Sequence, residues 1–401
     1  MSHTRDNWLT SLFRVWRREF YLVFHDLGVM LFFFALPLFY PIVYTLIYNP
    51  ELIRDMPIAV VDHSRTAPSR ELARMVDATD GLKVYQYAPD MEAARRMMNR
   101  KEVYGILEIP AGYARQLGRG EQANVTYYAD VSLLLRYRQA LFNLTDLQMA
   151  IATRHQQEKI ASGGLLLQDI GGSPIDTQSV MMGDPTQGFA SFIMPGVLVL
   201  ILHQSLILGV AMLAGGSAER RRRNGGLDPM SVDAPASATL IGKTLCYTTI
   251  YTPMALYALH FVPWMFTLPH LDSMLDSLVY ILPMTVAASM LGFCVASFVT
   301  EREASLMVVV FTSVVFLFLS GLTWPRYAMG AFWQLVGGFI PATWGIEGFI
   351  RLNSNGATFA QQSHPAMMLW GLAALYFAVA WILTRRFGLF AGARRTSPRT
   401  V

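Results

Sequence analysis

The segment Leu27-Gly28-Val29-Met30-Leu31-Phe32-Phe33-Phe34-Ala35-Leu36-Pro37-Leu38-Phe39-Tyr40-Pro41-Ile42-Val43-Tyr44-Thr45-Leu46-Ile47-Tyr48 runs for 22 residues without a charged side chain. As a helix it is about 33 Å long, enough to cross a hydrocarbon layer about 30 Å thick. A cleaved secretory signal carries a shorter apolar core, of about 7–15 residues, and a small-residue cleavage site. Here the 26-residue leader is mixed in charge and the chain runs on into Asn49-Pro50-Glu51, so the stretch reads as a retained span. Five further apolar stretches follow: Phe189–Leu213, Leu240–Val262, Leu275–Thr300, Ala304–Leu322 and Met367–Thr384. Glu301-Arg302-Glu303 separates the fourth and fifth spans as a tight turn at the membrane face.

The composition agrees. Of 401 residues 53% are hydrophobic and only 15% charged, and the mean hydropathy is +0.34. That balance excludes a disordered chain and argues against a cytosolic enzyme. Cys246 and Cys294 lie in apolar segments, so neither a disulfide framework nor a zinc-ligand spacing exists. Six spans return both termini to one side. The short connections on that side, with the leader and the tail, hold 15 basic residues; the opposite short connections hold Arg326 and Arg351. This asymmetry predicts cytoplasmic termini and a multi-pass protein of the cell inner (plasma) membrane.

Between the first two spans, Asn49–Gly188 has ordinary soluble composition, with 17 acidic and 15 basic side chains. Strands are predicted over 57–62, 82–87, 103–109 and 124–129, helices over 69–78 and 91–100, and a long helix or helix pair over 133–160. That alternation indicates an α/β domain with largely parallel strands. Residues 163–187, rich in Gly, Ser and Pro, read as a loop returning to the membrane. The predicted fold class is therefore an all-α six-helix transmembrane bundle with an inserted extracytoplasmic α/β domain. Its parts are an interfacial helix in residues 1–26, the first span at 27–48, the outer domain at 49–188, spans two to six within 189–384, and a basic cytoplasmic tail at 385–401.

Catalytic chemistry finds little support. Asp62, His63 and Ser64 are adjacent in the chain and unsuited to converge on one substrate atom, and no G-x-S-x-G occurs. Ser237 to Thr244 resembles a phosphate loop, but Ser237 replaces the first glycine, no strand precedes it, and it enters a span. Lys243 is expected to snorkel to the headgroups. His203, midway along the second span, reads as a helix–helix hydrogen bonder. No Asp, Glu or Arg lies at mid-depth, which disfavours an ion-coupled carrier.

Three regions remain as candidates. In the leader, Trp8, Leu12, Trp16 and Phe20 recur every four residues opposite Arg14, Arg17 and Arg18, the pattern of a helix lying in the membrane interface. The loop 215–242 carries Glu219, Arg220, Arg221, Arg222, Arg223, Gly226 and Leu227, the densest charge in the chain; it serves topology, anionic lipid or an acidic partner surface. Between the last two spans, two short helices are expected to dip into the outer leaflet within 323–352, with Glu347 and Arg351 paired four apart.

This layout resembles the permease subunits of ABC-2 type exporters. The pattern of that family is an interfacial helix, one span, a large extracytoplasmic domain and five spans. Glu219-Arg220, Gly225-Gly226, a coupling helix over 227–232 and Gly242-Lys243 are similar to the family's coupling loop. Leu319-Ser320-Gly321, Pro325, Pro341 and Arg351 are similar to its re-entrant signature. Arg221 stands where an acid is common, and Pro229 interrupts the coupling helix. The resemblance implies a dimer with a second permease copy or a paralogue, and a separate ABC ATPase subunit docked beneath. No cofactor would sit on this chain, ATP and Mg being held by the ATPase. Membrane lipids and a periplasmic adaptor are further implied partners, nucleic acid is not, and the cargo class is hydrophobic or amphiphilic. The rival readings are a membrane-anchored receptor or scaffold and a secondary transporter.

Overall fold

In the computed structural model the described residues are 7–48, 53–119, 121–161, 188–226, 228–271 and 273–387. They fall into two compact units, one within Met1–Asn49 and Met181–Val401, the other within Pro50–Val180. The predicted loop 163–187, Leu227, and Arg394, Arg395 and Arg399 of the tail lie outside the described residues.

The first unit is helical. Helix α1 spans Trp8–Phe24 and α2 spans Leu27–Tyr48, with one π-helical turn at Leu31–Ala35. The second unit follows in sequence with β1 (Met56–Asp62), α3 (Ala67–Asp77), β2 (Leu82–Tyr87), α4 (Met91–Asn99), β3 (Gly105–Ile109), α5 (Tyr113–Gly118), β4 (Thr126–Ala129) and α6 (Leu134–Ala161). The chain then returns to the first unit with α7 (Phe189–Arg223) and α8 (Ala236–Leu256), which continues through a π turn at Tyr257–Phe261 to Met265. Helices α9 (Met274–Ala296), α10 (Arg302–Leu319), α11 (Ala331–Gly338), α12 (Pro341–Asn355) and α13 (Ser363–Phe387) complete it.

Among the described residues five helices, α2, α7, α9, α10 and α13, are long and apolar enough to cross a membrane. The expected third span, Leu240–Val262, is helical but is not among them. Lys243, five threonines and two tyrosines between Thr239 and Thr252 interrupt its apolar run. Its threonines compensate locally: Thr249 and Thr252 donate to the carbonyls of Leu245 and Thr248 at 2.7 Å. The core is built by α7 and α9, with α8 and α12 against them: Leu198, Leu202, Leu206, Tyr247, Tyr251, Met284 and Phe293 are all buried.

In the second unit the sheet order is β2-β1-β3-β4. The first three strands are parallel and β4 runs antiparallel to β3. Both faces are covered, which explains the unbroken apolar run of β1. Ile58, Val60 and Leu107 pack with α3, α5 and α6, whereas Ala59, Val61 and Ile106 pack with α4. His63 is an exposed strand-end residue 3.5 Å from Glu108, and Asp62 accepts from Ser69 Oγ at 2.7 Å and from the Ser64 and Arg65 N–H groups, each at 2.9 Å. That arrangement is a helix-entry turn rather than a triad.

Candidate functional site

The arginine-rich end of the helical unit is built on the last turns of α7. The expectation of a loop from residue 215 is corrected here: the helix continues to Arg223, so Glu219 and all four arginines sit on it. Asn224-Gly225-Gly226 ends it because the glycines adopt φ of +64° and +95°, and the Gly226 N–H donates to the Arg221 carbonyl at 2.8 Å. That bond closes a Schellman turn. The coupling helix expected over 227–232 is absent from its described residues. Instead Asp228 folds back on α7, and Pro229 lacks the N–H a helix there would use.

Asp228 is the hub of this fold-back. Its carboxylate accepts from Arg220 Nε and Nη2 at 2.9 and 3.1 Å, from Ser217 Oγ at 2.6 Å and from the Met230 N–H at 2.9 Å. Burial works to raise its carboxyl, but these hydrogen bonds and the Arg220 charge outweigh it and hold it below the usual carboxylate range. On the other flank Glu219 Oε1 accepts the Arg302 N–H at 2.8 Å. It thereby supplies the acceptor that the first turn of α10 lacks from its own side chains. Gly215 permits the approach, since a Cβ there would lie 3.0 Å from the Glu301 backbone. Arg222 pairs with Glu301 at 3.1 Å, and the Arg302 guanidinium pairs with Asp26 at the head of α2.

Helix α1 joins the same network. Arg18 Nε donates to the Met230 carbonyl at 3.2 Å. Lys243 does not snorkel: its Nζ donates to Glu19 Oε2 at 2.6 Å, and the Tyr247 hydroxyl donates to the other Glu19 oxygen. Glu19 is 2% exposed, so an extended lysine alone at the surface would leave a buried carboxylate unpaired. Gly242 allows α1 to approach, because a Cβ there would lie 2.9 Å from the Leu12 carbonyl.

The packed stripe of α1 also differs from the expected Trp8, Leu12, Trp16 and Phe20. Leu12, Val15, Glu19 and Val23 are buried, Trp16 and Phe20 are half-buried, and Trp8 is exposed. A strict four-residue spacing drifts about 40° per step around a helix, whereas alternating steps of three and four stay on one face. Ser11 and Glu19 in that stripe, Asp26 and Asp228 are the participants that sequence reasoning missed. The signal available was an acid at the helical spacing of apolar neighbours.

At the far end of the unit, Gly321 turns the chain at φ +89°, Pro325 precedes a short turn at Arg326–Ala328, and Pro341 opens α12. Glu347 accepts from Arg351 at 2.6 Å, the expected pair, and also from Arg326 at 3.0 Å. The Arg326 guanidinium lies 4.3 Å over the Trp344 ring. His203, expected to bond between helices, is fully buried with neither ring nitrogen hydrogen-bonded among the described residues, its ring edge-on to Phe316. No group of three or more metal-ligating side chains occurs among the described residues. Ser237 to Thr244 lies inside α8, a continuous helix with no cradle for phosphate.

No curated protein matches the chain. Residues 28–382 match the family described as ABC-2 family transporter protein. A match running from the first span almost to the end of the last helix leaves one conclusion: the chain belongs to the ABC-2 transporter family, the membrane component of ABC transporters.

Proposed function

We propose that the chain is the permease of an ATP-driven exporter, with six spans, cytoplasmic termini and the α/β unit outside, moving a hydrophobic or amphiphilic cargo. The observation that carries this reading is mechanical. Helix α7 runs without interruption from the buried centre of the unit to Arg223, and Asp228 ties the following connector to it through Arg220 and Ser217. A push on this end is therefore delivered along α7 and, through Glu219 and Arg302, to the start of α10. Arg222 and Arg223, exposed at the helix end, offer positive charge to an acidic surface of the ATPase, which holds ATP and Mg. Arg220 serves the clamp rather than the partner. A second copy or paralogue completes the conduit across the exposed faces of the outer helices.

The test is co-purification of the full chain with a P-loop ATPase and assay of its hydrolysis. Reversing Arg222 and Arg223 to Glu should weaken the complex about ten-fold or more in moderate salt. A pure, cargo-moving preparation that contains no nucleotide hydrolase would overturn the proposal, and dependence on an ion gradient would favour a secondary carrier.

A further inference from the structure

A basic cleft that the transporter reading does not use opens at the carboxyl ends of β1 and β2. Asp62 and Tyr87, the last residues of those strands, line it together with Arg65, Arg70 and Arg74, and the turn after β2 completes it. The cleft is open to solvent and encloses about 830 Å³. The carboxyl ends of parallel strands are where open α/β sheets place their ligands.

Three guanidinium groups meet one carboxylate here, and that carboxylate is already used. Asp62 Oδ1 accepts the Ser64 and Arg65 N–H groups at 2.9 Å, and Oδ2 accepts from Ser69 Oγ at 2.7 Å. Among the described residues no acid pairs with any of the three arginines, and Arg70 spends one donor on the Arg65 carbonyl at 3.3 Å. The acids nearby in the chain are engaged elsewhere: Glu71 with Arg154 at 3.3 Å, Asp77 with Lys83 at 3.5 Å, and Asp90 with the Ala93 N–H at 2.7 Å. Arg70 and Arg74 stand one turn apart on α3, where like charges repel. Arg65 joins them from backbone at φ +51°, a left-handed conformation that costs any residue with a Cβ. The fold thus gathers positive charge in one cleft and neutralises none of it internally, so an anion from outside gains there.

The donors present define which anion. Backbone groups contribute little. The Thr66 N–H donates to Ser69 Oγ at 3.0 Å and the Ser69 N–H to Thr66 Oγ1 at 3.4 Å, which caps α3 from within. Pro68 and Pro89 have no N–H, and the Ala88 N–H donates to the Val60 carbonyl at 2.9 Å. Recognition therefore falls to the guanidinium forks, each of which matches two oxygens of one anion. Three forks suit a phosphomonoester, with three terminal oxygens and two charges, better than a carboxylate with two oxygens and one. The Tyr87 side chain is exposed, and its hydroxyl makes no hydrogen bond among the described residues, so it adds one neutral donor.

We propose that this cleft binds a phosphomonoester through Arg65, Arg70 and Arg74, with the Tyr87 hydroxyl donating to a further phosphate oxygen. This binding requires neither the ATPase nor transport, so it stands or falls apart from the exporter reading.

The test is isothermal titration of the full chain in a nonionic detergent with methyl phosphate at pH 8, where the ester carries two charges. The proposal expects saturable binding, and about ten-fold weaker binding of dimethyl phosphate, which has one charge and two free oxygens. Arg70→Gln combined with Arg74→Gln should weaken methyl phosphate about ten-fold or more and leave the thermal midpoint in place, because both side chains are exposed. Arg115→Gln combined with Arg119→Gln makes the same change in net charge at α5, outside the cleft, and should leave the affinity unchanged. Tyr87→Phe should weaken binding about three-fold. Two further esters separate the sources: tighter binding of glucose 6-phosphate than of dioctanoyl phosphatidic acid assigns a free phosphosugar, and the reverse order a lipid headgroup. No saturable binding, equal affinity for the monoester and the diester, or equal losses in the cleft and α5 variants would overturn the proposal. Binding of hexaglutamate with none of methyl phosphate would assign the cleft to an acidic peptide and overturn it as well.

Discussion

The most apolar stretches of α7 and α10 have similar mean hydropathy, 2.3 and 1.9, yet 78% of that stretch is buried inside the unit in α7 and only 17% in α10. The same contrast separates α9, at 67%, from α2 and α13, at 22% and 28%. Lipid solubility and position in a bundle are therefore different properties. In a bilayer the tails are as apolar as leucine, and helices associate through close packing and hydrogen bonds instead. Helix α7 has glycines at 196, 209, 215 and 216 where neighbours press in, whereas α10 has none and presents Met307, Val310, Phe311, Val314 and Phe318 outward. Buried polar ties add to this: Tyr251 on α8 to Ser205 on α7 at 3.0 Å, Gln204 on α7 to the Ser313 carbonyl on the inward side of α10 at 3.2 Å, and Glu19 on α1 to Lys243 on α8.

If this contrast is right, substitutions inside cost stability and those outside do not. The largest effect should come from Glu19→Gln, which strands Lys243 and is expected to cost about 3 kcal/mol. The drop in thermal midpoint should be recovered in part by adding Lys243→Met; no drop would place the pair outside the inner set. Next comes Gly209→Val, whose Cβ would meet Phe33 at 1.8 Å. Overpacking of this kind costs about 2 kcal/mol, and Phe33→Ala in the same chain should relieve it.

Asp228→Asn should cost about 1–2 kcal/mol through the loss of a charged acceptor. Because the folded carboxyl is held below its unfolded value, this contribution is present above the usual carboxylate range and is lost as pH falls through the lowered value. The wild type should therefore lose stability over that acid limb and the Asn variant should lose less. Parallel acid limbs would show that Asp228 does not clamp. The smallest effect is expected from Phe311→Ala on the outer face of α10, within about 0.5 kcal/mol in a detergent melt. A drop comparable to that of Gly209→Val would show that α10 is covered in the purified state.

Much of this was legible beforehand. The four strands of the α/β unit fall where alternation and turn residues place them, and each expected apolar stretch of the other unit lies on a helix, although α7 runs ten residues beyond its stretch. The antiparallel direction of β4 was not legible. Helix α5, at six residues, is about 9 Å long and too short by itself to carry the chain back along β3, which measures about 16 Å. The far-end pair Glu347–Arg351 was readable because a spacing of four on one helix makes neighbours. The partners Glu19–Lys243 and Arg220–Asp228 were not, since the first pair is separated by 224 positions and the second crosses a chain reversal at two glycines.

By itself, then, the order of residues determined which segments must leave water and which side of each helix carries charge, because those follow from local composition and period. Which helices become the interior, and whether Lys243 reaches headgroups or a buried carboxylate, was decided only in three dimensions. Those outcomes depend on how closely two backbones approach, and a glycine signals that closeness only once its neighbour is known.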